Sequence, residues 1–156
     1  MAGFISNTIQ AHIARYNKPA GEYEYLLLRR APNNPLYPGI WQVVTGTAEN
    51  DETSLDTAQR EIAEETGIKP DILWVLPYIA HFFDSKNDLI NSSPVFGAIF
   101  DCCTEIRLSA EHSDFEWVKY ERCMELLPLP SHKDGTTIFR DYVLNKGDKS
   151  MFRVEI

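Results

Sequence analysis

Cysteine is scarce in this sequence, and the number and spacing of its cysteines exclude two common uses of the residue. The 156-residue chain contains three, Cys102, Cys103 and Cys123, and no Cys-x-x-Cys motif. An odd number does not build a disulfide framework, and the four histidines lack zinc-ligand spacing. Cys102 and Cys103 are predicted to point to opposite faces of a strand. We therefore expect reduced, mostly buried thiols in a cytoplasmic protein.

Long hydrophobic runs and basic clusters are also missing. Apolar stretches such as Ile72–Ala80 are too short and interrupted to span a bilayer, so no membrane is expected as a partner. The first residues lack the pattern of a secretory signal. Fifteen basic residues, scattered singly apart from Arg29–Arg30, stand against 23 acidic ones, for a net charge of −8. This balance argues against a nucleic-acid polymer as partner.

What is present is the composition of an ordinary globular domain, with 44% hydrophobic and 24% charged residues. The length fits one domain over residues 1–156. Periodicity and turn signals predict strands over Gly3–Tyr16, Tyr23–Arg30, Ile40–Thr45, Ile72–Asp84, Val95–Cys102 and Phe115–Val118. They predict helices over Leu55–Thr66, Tyr120–Leu127 and Thr136–Leu144, with Pro128 and Pro130 breaking the chain between the last two. The fold class is therefore a mixed α/β (α+β) domain.

Most of the negative charge lies in one short segment. Residues 49–65 hold seven acidic residues and one basic residue, a net charge of −6, whereas the other 139 residues hold 16 acidic and 14 basic ones. Thr53 or Ser54 can cap a helix that begins here, and Thr53 has the spacing of a capping box with Asp56. Gly67 is suited to the left-handed position that ends the helix.

Three carboxylates of this predicted helix share one face. Glu61, Glu64 and Glu65 fall within an arc of about 100° that borders the apolar stripe. Like charges at this spacing destabilise a helix by a few tenths of a kcal/mol, and only Arg60 is near enough to relieve them. A solvated helix face is one interpretation. Because carboxylate oxygens are the ligands of hard cations, the clustering beside the buried stripe favours a divalent cation site.

The same segment resembles the Nudix box. That box reads Gly-x5-Glu-x7-Arg-Glu-U-x-Glu-Glu-x-Gly-U, with U apolar, and the residues from Gly46 to Ile68 match it without a mismatch. The chance of such a match is on the order of 10⁻⁹ per start position. One departure lies in the loop, where Asp51 stands at a position that is glycine in many relatives. Asp tolerates a left-handed backbone better than most residues.

The resemblance implies a Nudix hydrolase, with a mixed sheet sandwiched between helices, that cuts a nucleoside diphosphate linked to another group. It implies that Glu61, Glu64 and Glu65 hold a divalent metal, Mg²⁺ or Mn²⁺. Arg60 would orient these glutamates through a salt bridge, and Glu52 would support that network.

Three stretches outside the box are similar to bacterial dihydroneopterin triphosphate / dATP pyrophosphatases. They are Leu28–Arg30, Trp41–Gly46 and Glu111–Trp117. This similarity implies that Glu111 is a further metal ligand or a general base opposite the helix. The alternative for Glu111 is an exposed loop acid, and His112 is expected to be structural or solvent-facing.

Four residues are candidates for substrate binding. Arg29 and Arg30 alternate faces at a strand end, so only one of them can point to a phosphate. The alternative role for these two arginines is a surface ion pair with Glu22 or Glu24. Trp41, next to the candidate Gln42, has the ring to stack on a base. Phe82 or Phe83 is another stacking candidate, although aromatic residues on strands commonly belong to the core.

The function predicted from these residues is cleavage of a nucleoside or pterin triphosphate to a monophosphate and pyrophosphate. The same box also occurs with other pockets, so a dinucleoside polyphosphate or nucleotide-sugar hydrolase is the alternative within enzymes. A Nudix-fold module that senses a nucleotide without cutting it is the alternative outside enzymes. Such modules typically lose box glutamates, and this chain keeps all of them.

Overall fold

A mixed nine-stranded sheet forms the centre of the structure, a computed structural model that describes residues 1–156. The strands are β1 (Gly3–Ile5), β2 (Thr8–Asn17), β3 (Glu22–Arg30), β4 (Trp41–Gln42), β5 (Val44–Thr47), β6 (Ile72–Asp84), β7 (Leu89–Phe100), β8 (His112–Val118) and β9 (Arg153–Glu155). The helices are α1 (Ser54–Thr66), α2 (Tyr120–Leu126) and α3 (Pro130–Phe139), which a π-helical turn (Arg140–Leu144) continues. None of them has the length and apolar character that a membrane crossing needs.

Strand β2 organises the sheet. The main order is β4-β3-β2-β7-β6-β9, with β5 also on β2, β8 on β3 and β1 beside β7. β2 is parallel to β7 and antiparallel to β3 and β5. Because β5 leads directly into the loop before α1, its pairing with β2 fixes where that helix begins relative to the sheet.

The two faces of β2 bury different helices, as the alternation of side chains along a strand requires. One face packs on α1 through a cluster that includes Ile9, Ala11, Ile13, Ala58 and Ile62. The opposite face packs on α2 and α3 through a cluster that includes Ala14, Tyr25, Leu27, Cys123 and Phe139. The expected mixed sheet between helices is confirmed.

Several boundaries differ from the sequence predictions. The strand predicted over Gly3–Tyr16 is divided into β1 and β2, the strand predicted over Ile40–Thr45 is divided into β4 and β5, and β8 begins at His112 rather than Phe115. β7 begins at Leu89, because the segment after the polar turn pairs with β6 from its first residue, and it ends at Phe100. The predicted break between the last two helices is present at residues 127–129, but α3 begins at Pro130 rather than at Thr136. Proline is favoured in the first turn of a helix because its missing N–H has no partner there. The short β1 and β9 were not distinguished by periodicity.

The prediction for the adjacent cysteines is also wrong. Cys102 and Cys103 lie in a turn after β7 rather than on opposite faces of a strand, and both are exposed. Cys123 is buried, as expected. The turn ends the ladder between β7 and β2 at Phe100, so the strand alternation on which the prediction depended stops before the cysteines.

Candidate functional site

Local signals in the sequence set the two ends of α1. Thr53 is the N-cap: its hydroxyl accepts from the Asp56 N–H at 3.2 Å, and the Asp56 carboxylate accepts from the Thr53 N–H at 3.2 Å. Gly67, at φ 78°, ends the helix in the left-handed conformation. The predicted caps are therefore confirmed. In the preceding loop the left-handed residue is Asn50, at φ 49°, and not its neighbour Asp51.

Gly46 lets the backbone of β5 contact the carboxylate of Glu61. A Cβ added at Gly46 would lie 2.1 Å from both Cγ and Cδ of Glu61. No side chain fits in that gap unless Glu61 moves. The glycine that begins the box is thus required by the close approach of strand and helix.

Arg60 ties the loop to the glutamates of α1. Its Nε and Nη2 donate to the two carboxylate oxygens of Glu52 at 2.7 and 3.0 Å, a bidentate pair. Nη2 also donates to the carbonyl of Thr47 at 2.9 Å. Nη1 donates to Glu61 at 3.0 Å and to Glu64 at 3.2 Å. The Arg60 hydrogen bonds, aided by the Glu49 N–H, lower the pKa of Glu52 to about 2, so this carboxylate is ionised.

The carboxylate of Glu65, in contrast to that of Glu52, is buried, and its Oε2 has no hydrogen-bond partner. Only 3% of the residue is exposed. Burial raises the pKa of Glu65 well above its ordinary value, and the negative charges of Glu61 and Glu111 raise it further. Burial also raises the pKa of Glu61. A cation beside these carboxylates would reverse that penalty.

Arg30, Gln42 and His112 form a buried chain of hydrogen bonds next to Glu65. Nη1 of Arg30 donates to Oε1 of Gln42 at 3.2 Å, which leaves the Gln42 amide NH₂ to donate to Nε2 of His112 at 2.9 Å. Burial, together with the charge of Arg30, lowers the pKa of His112 to about 4, so the ring is neutral. Nε2 of His112 is 3.9 Å from the Glu65 carboxylate, too far for a hydrogen bond.

Glu111 lies at the turn that leads into β8, across from α1. Its carbonyl accepts from the N–H of Ala31 at 2.8 Å, which fastens the turn to the end of β3. The side chain is exposed, and its charge acts on both Glu61 and Glu65. The structure therefore brings the predicted downstream acid to the same site as two glutamates of the box.

The donor set fits a hydrated divalent cation. No group of three or more His, Cys, Asp or Glu side chains is already arranged to enclose a metal, because Glu61 and Glu64 turn their oxygens toward Arg60. Mg²⁺ usually keeps several waters and takes one or two protein carboxylates together with substrate phosphates. The unpaired oxygen of Glu65, on which the charges of Glu61 and Glu111 act, is suited to that mode of binding.

The remaining candidates for substrate binding separate into inward and outward residues. Arg30 points inward and also donates to Asn34 at 2.8 Å. Arg29 is exposed, donates to the carbonyl of Gly39 at 3.2 Å and lies 5.9 Å from the ring of Trp41. Neither arginine pairs with an acid at the surface, so that alternative is wrong. Trp41 is half-buried against the α2–α3 cluster.

Phe82 and Phe83 lie on the exposed part of β6, where it pairs with Ile90 and Asn91 of β7. Sequence reasoning missed Asn34, whereas it expected His112 to be structural or solvent-facing. His112 is buried and not solvent-facing, and its position directly after Glu111 was the one signal for it.

Comparisons with known proteins agree with this fold. The NUDIX domain model matches residues 9–141. A nucleoside triphosphatase NudI from Escherichia fergusonii is 31% identical over 105 residues, which cover 61% of this chain and 72% of that protein. An octanoyltransferase from Myxococcus xanthus is 36% identical over 111 residues, which cover 69% of this chain. The chain spans only 30% of that relative's length.

The solved structure of the E. coli dihydroneopterin triphosphate pyrophosphohydrolase superposes with a TM-score of 0.70 at 22% identity, over 85% of this chain and 92% of that one. At this identity the likeness shows the fold, and the predicted subgroup stays a prediction. The family is settled by the domain match: the chain belongs to the NUDIX domain family.

Proposed function

We propose that this chain, as one Nudix hydrolase domain over residues 1–156, is a cytoplasmic, divalent-metal-dependent pyrophosphohydrolase. Its substrate in this proposal is a nucleoside or pterin triphosphate, which it cleaves to a monophosphate and pyrophosphate. The family match and the nucleoside triphosphatase relatives support the coarser class, a hydrolase that acts on phosphoric anhydride bonds.

The observation that carries the proposal is the buried carboxylate of Glu65, which has an unpaired oxygen and lies within the electrostatic influence of Glu61 and Glu111. Most buried polar atoms in folded proteins have a hydrogen-bond partner, so a buried carboxylate oxygen without one supports the binding of an ion at that place. Mg²⁺ or Mn²⁺ bound here by Glu61, Glu64, Glu65 and Glu111 would neutralise phosphate oxygens and lower the pKa of an attacking water.

The other residues of the site have separate parts in this proposal. Arg60 and Glu52 hold Glu61 and Glu64 in position by the contacts described above. Arg30, the inward arginine, supplies positive charge for a phosphate of the substrate, with Gln42 setting the orientation of its guanidinium. We propose that one of the glutamates, in α1 or at Glu111, accepts the proton of the attacking water.

The glutamate Glu64 offers the direct test because it is exposed and its loss leaves the core intact. We expect Glu64→Gln to lower kcat by at least about a hundredfold, by analogy with the loss of a main electrostatic stabiliser. Glu125→Gln is the matched control, since Glu125 is an exposed helical glutamate in an ion pair with Arg122. Unchanged kcat in Glu64→Gln on every substrate would sink the assignment of the metal site.

The substrate class is tested by incubating the protein with Mg²⁺ and a panel of compounds. The panel contains deoxynucleoside triphosphates, dihydroneopterin triphosphate, dinucleoside polyphosphates and nucleotide sugars, and the products are identified by chromatography. Monophosphate and pyrophosphate from a triphosphate are the expected products. Cleavage of dinucleotides alone would contradict the substrate proposed, and binding without cleavage of any compound would contradict an enzyme.

A further inference from the structure

The two adjacent cysteines form an exposed feature that the proposed hydrolase does not use. Cys102 and Cys103 occupy the turn between Asp101 and Thr104, which closes with a hydrogen bond from the Thr104 N–H to the Asp101 carbonyl at 3.1 Å. Both side chains are exposed, and their sulfur atoms lie 3.5 Å apart. The turn therefore presents two thiols to solvent on the same side of the chain.

We infer that the Cys102–Cys103 turn is a chelating site for a soft, thiophilic centre, with trivalent arsenicals as its ligand class. Sulfur ligands select soft metals and metalloids, whereas the glutamates of α1 are suited to hard cations. The two sites would therefore take different ligands. The two sites also lie apart. Ile9 of β2 pairs with Gly46, next to the glutamate site, and Arg15 of β2 pairs with Phe100, next to the cysteine turn. These two positions are separated by about 20 Å along β2.

The geometry favours chelation over a disulfide. Neighbouring Cα atoms across a trans peptide are about 3.8 Å apart, closer than the 4.4 Å or more usual for a disulfide. The two sulfur atoms would have to move from 3.5 Å to about 2.05 Å to bond to each other. An atom bonded to both sulfur atoms at about 2.3 Å would instead have an S–atom–S angle of about 100° without any movement of the sulfur atoms. That angle is suited to a pyramidal centre and excludes a linear one.

The number of protein groups that can donate to a bound centre restricts the class of ligand further. No third His, Cys, Asp or Glu is arranged to join the two sulfurs, so the turn cannot enclose a tetrahedral zinc ion. A trivalent arsenical needs only two protein sulfurs, because it carries its own third substituent. The hydrogen bond between the two sulfurs raises the pKa of the Cys103 thiol, which is unlike the lowered pKa of redox-reactive cysteines.

The binding step is a condensation without oxidation or reduction. An organoarsenic(III) oxide exchanges its oxygen for the two thiols, so two As–S bonds form and the arsenic–oxygen bond breaks. The two thiol protons leave with that oxygen as one molecule of water. Arsenic stays trivalent and both sulfurs keep their oxidation state.

Phenylarsine oxide is the probe for this site. We expect intact-mass spectrometry of the reduced full chain to show one phenylarsine group per protein with loss of one water. The adduct should resist an excess of a monothiol and be removed by a dithiol. Cys102→Ser and Cys103→Ser should each weaken binding at least about a hundredfold, because a chelate depends on the high effective concentration of its second arm.

Cys123→Ser is the matched control, because Cys123 is buried and away from the turn. It should bind the arsenical like the unmodified chain, and the two turn variants should keep their melting temperature to show that the fold is intact. Wild-type affinity in either single turn variant, or loss of binding in Cys123→Ser, would overturn the inference. Absence of any adduct with the reduced chain would do so as well.

Discussion

At the scale of single residues, the guanidinium of Arg60 connects three glutamates with the backbone of the loop. Lysine keeps the charge but has no planar fork, so Arg60→Lys would lose the bidentate pair with Glu52. We expect kcat/KM to fall about 10- to 100-fold, as is usual when a residue that orients metal ligands is changed. Steady-state kinetics at several Mg²⁺ concentrations measures this. Arg122→Lys, at an exposed pair on α2, is the control that should leave kcat/KM unchanged.

Gly46 is the second residue at which a small change has a large expected effect. In Gly46→Ala the new Cβ would displace the side chain of Glu61, which is flexible and can move away. We expect activity to fall at least about tenfold, while the free energy of unfolding decreases by no more than about 1–3 kcal/mol, the usual range for overpacking. Kinetics and chemical denaturation separate the two effects.

Gly147→Ala is the matched control for this substitution, because no atom lies within 4 Å of a Cβ added at Gly147. If Gly46→Ala retained full activity, the contact between β5 and Glu61 would not position the carboxylate.

At the scale of elements, α1 depends on its capping box. Thr53→Ala removes the hydroxyl that accepts from Asp56, and we expect a loss of about 1 kcal/mol in the free energy of unfolding. Ser54→Ala should have less effect, because Ser54 makes no capping contact. Urea denaturation of both variants tests this. An equal loss in the two would mean that Thr53 does not cap the helix.

Prediction from the sequence succeeded for elements whose signals are local. The caps of α1 and the hairpin of β2 and β3 follow from residues a few positions apart, so turn and helix chemistry sufficed. The short β1 and β9 depend on pairing with β7 and β6, which lie far away along the chain. The residues of β1 were predicted as strand, but as one element with β2, and those of β9 were not predicted as strand at all.

At the scale of the whole molecule, buried histidines between the sheet and α3 make stability depend on pH. His12 accepts from the Gln10 amide at 2.7 Å, and its other nitrogen faces the Thr136 hydroxyl at 3.1 Å. Burial lowers the pKa of His12 well below its ordinary value, and burial together with the charge of Arg30 lowers that of His132 to about 4. Both rings are therefore neutral in the folded state near neutral pH.

The unfolded chain binds a proton at His132 near pH 6.5, whereas the folded chain binds it only at about pH 4. Stability is therefore fully present above pH 6.5 and is lost as the pH falls toward 4. His132 alone contributes a loss of about 3 kcal/mol by pH 4. We expect His132→Gln to flatten the dependence of the free energy of unfolding on pH. His81→Gln, at an exposed histidine, should leave the slope unchanged, and an equal slope in all three proteins would contradict this account.

The sequence by itself determined the composition of the site. The spacing of Arg60, Glu61, Glu64 and Glu65 on one helix and the Thr53 cap can be predicted, because helix geometry depends on residues within one or two turns. The glycine at position 46 was indicated only by the resemblance to the Nudix box. These residues include most of the groups that we propose to hold the metal.

Only the tertiary structure decided which residues from other parts of the chain lie next to the residues of α1. Sheet pairing turns Arg30 inward and leaves Arg29 exposed, and it brings Glu111 and His112 from a distant part of the chain to Glu65. The turn after β7 places the two cysteines side by side in solvent. Strand register and turn geometry depend on partners far away along the chain, and local periodicity contains no information about them.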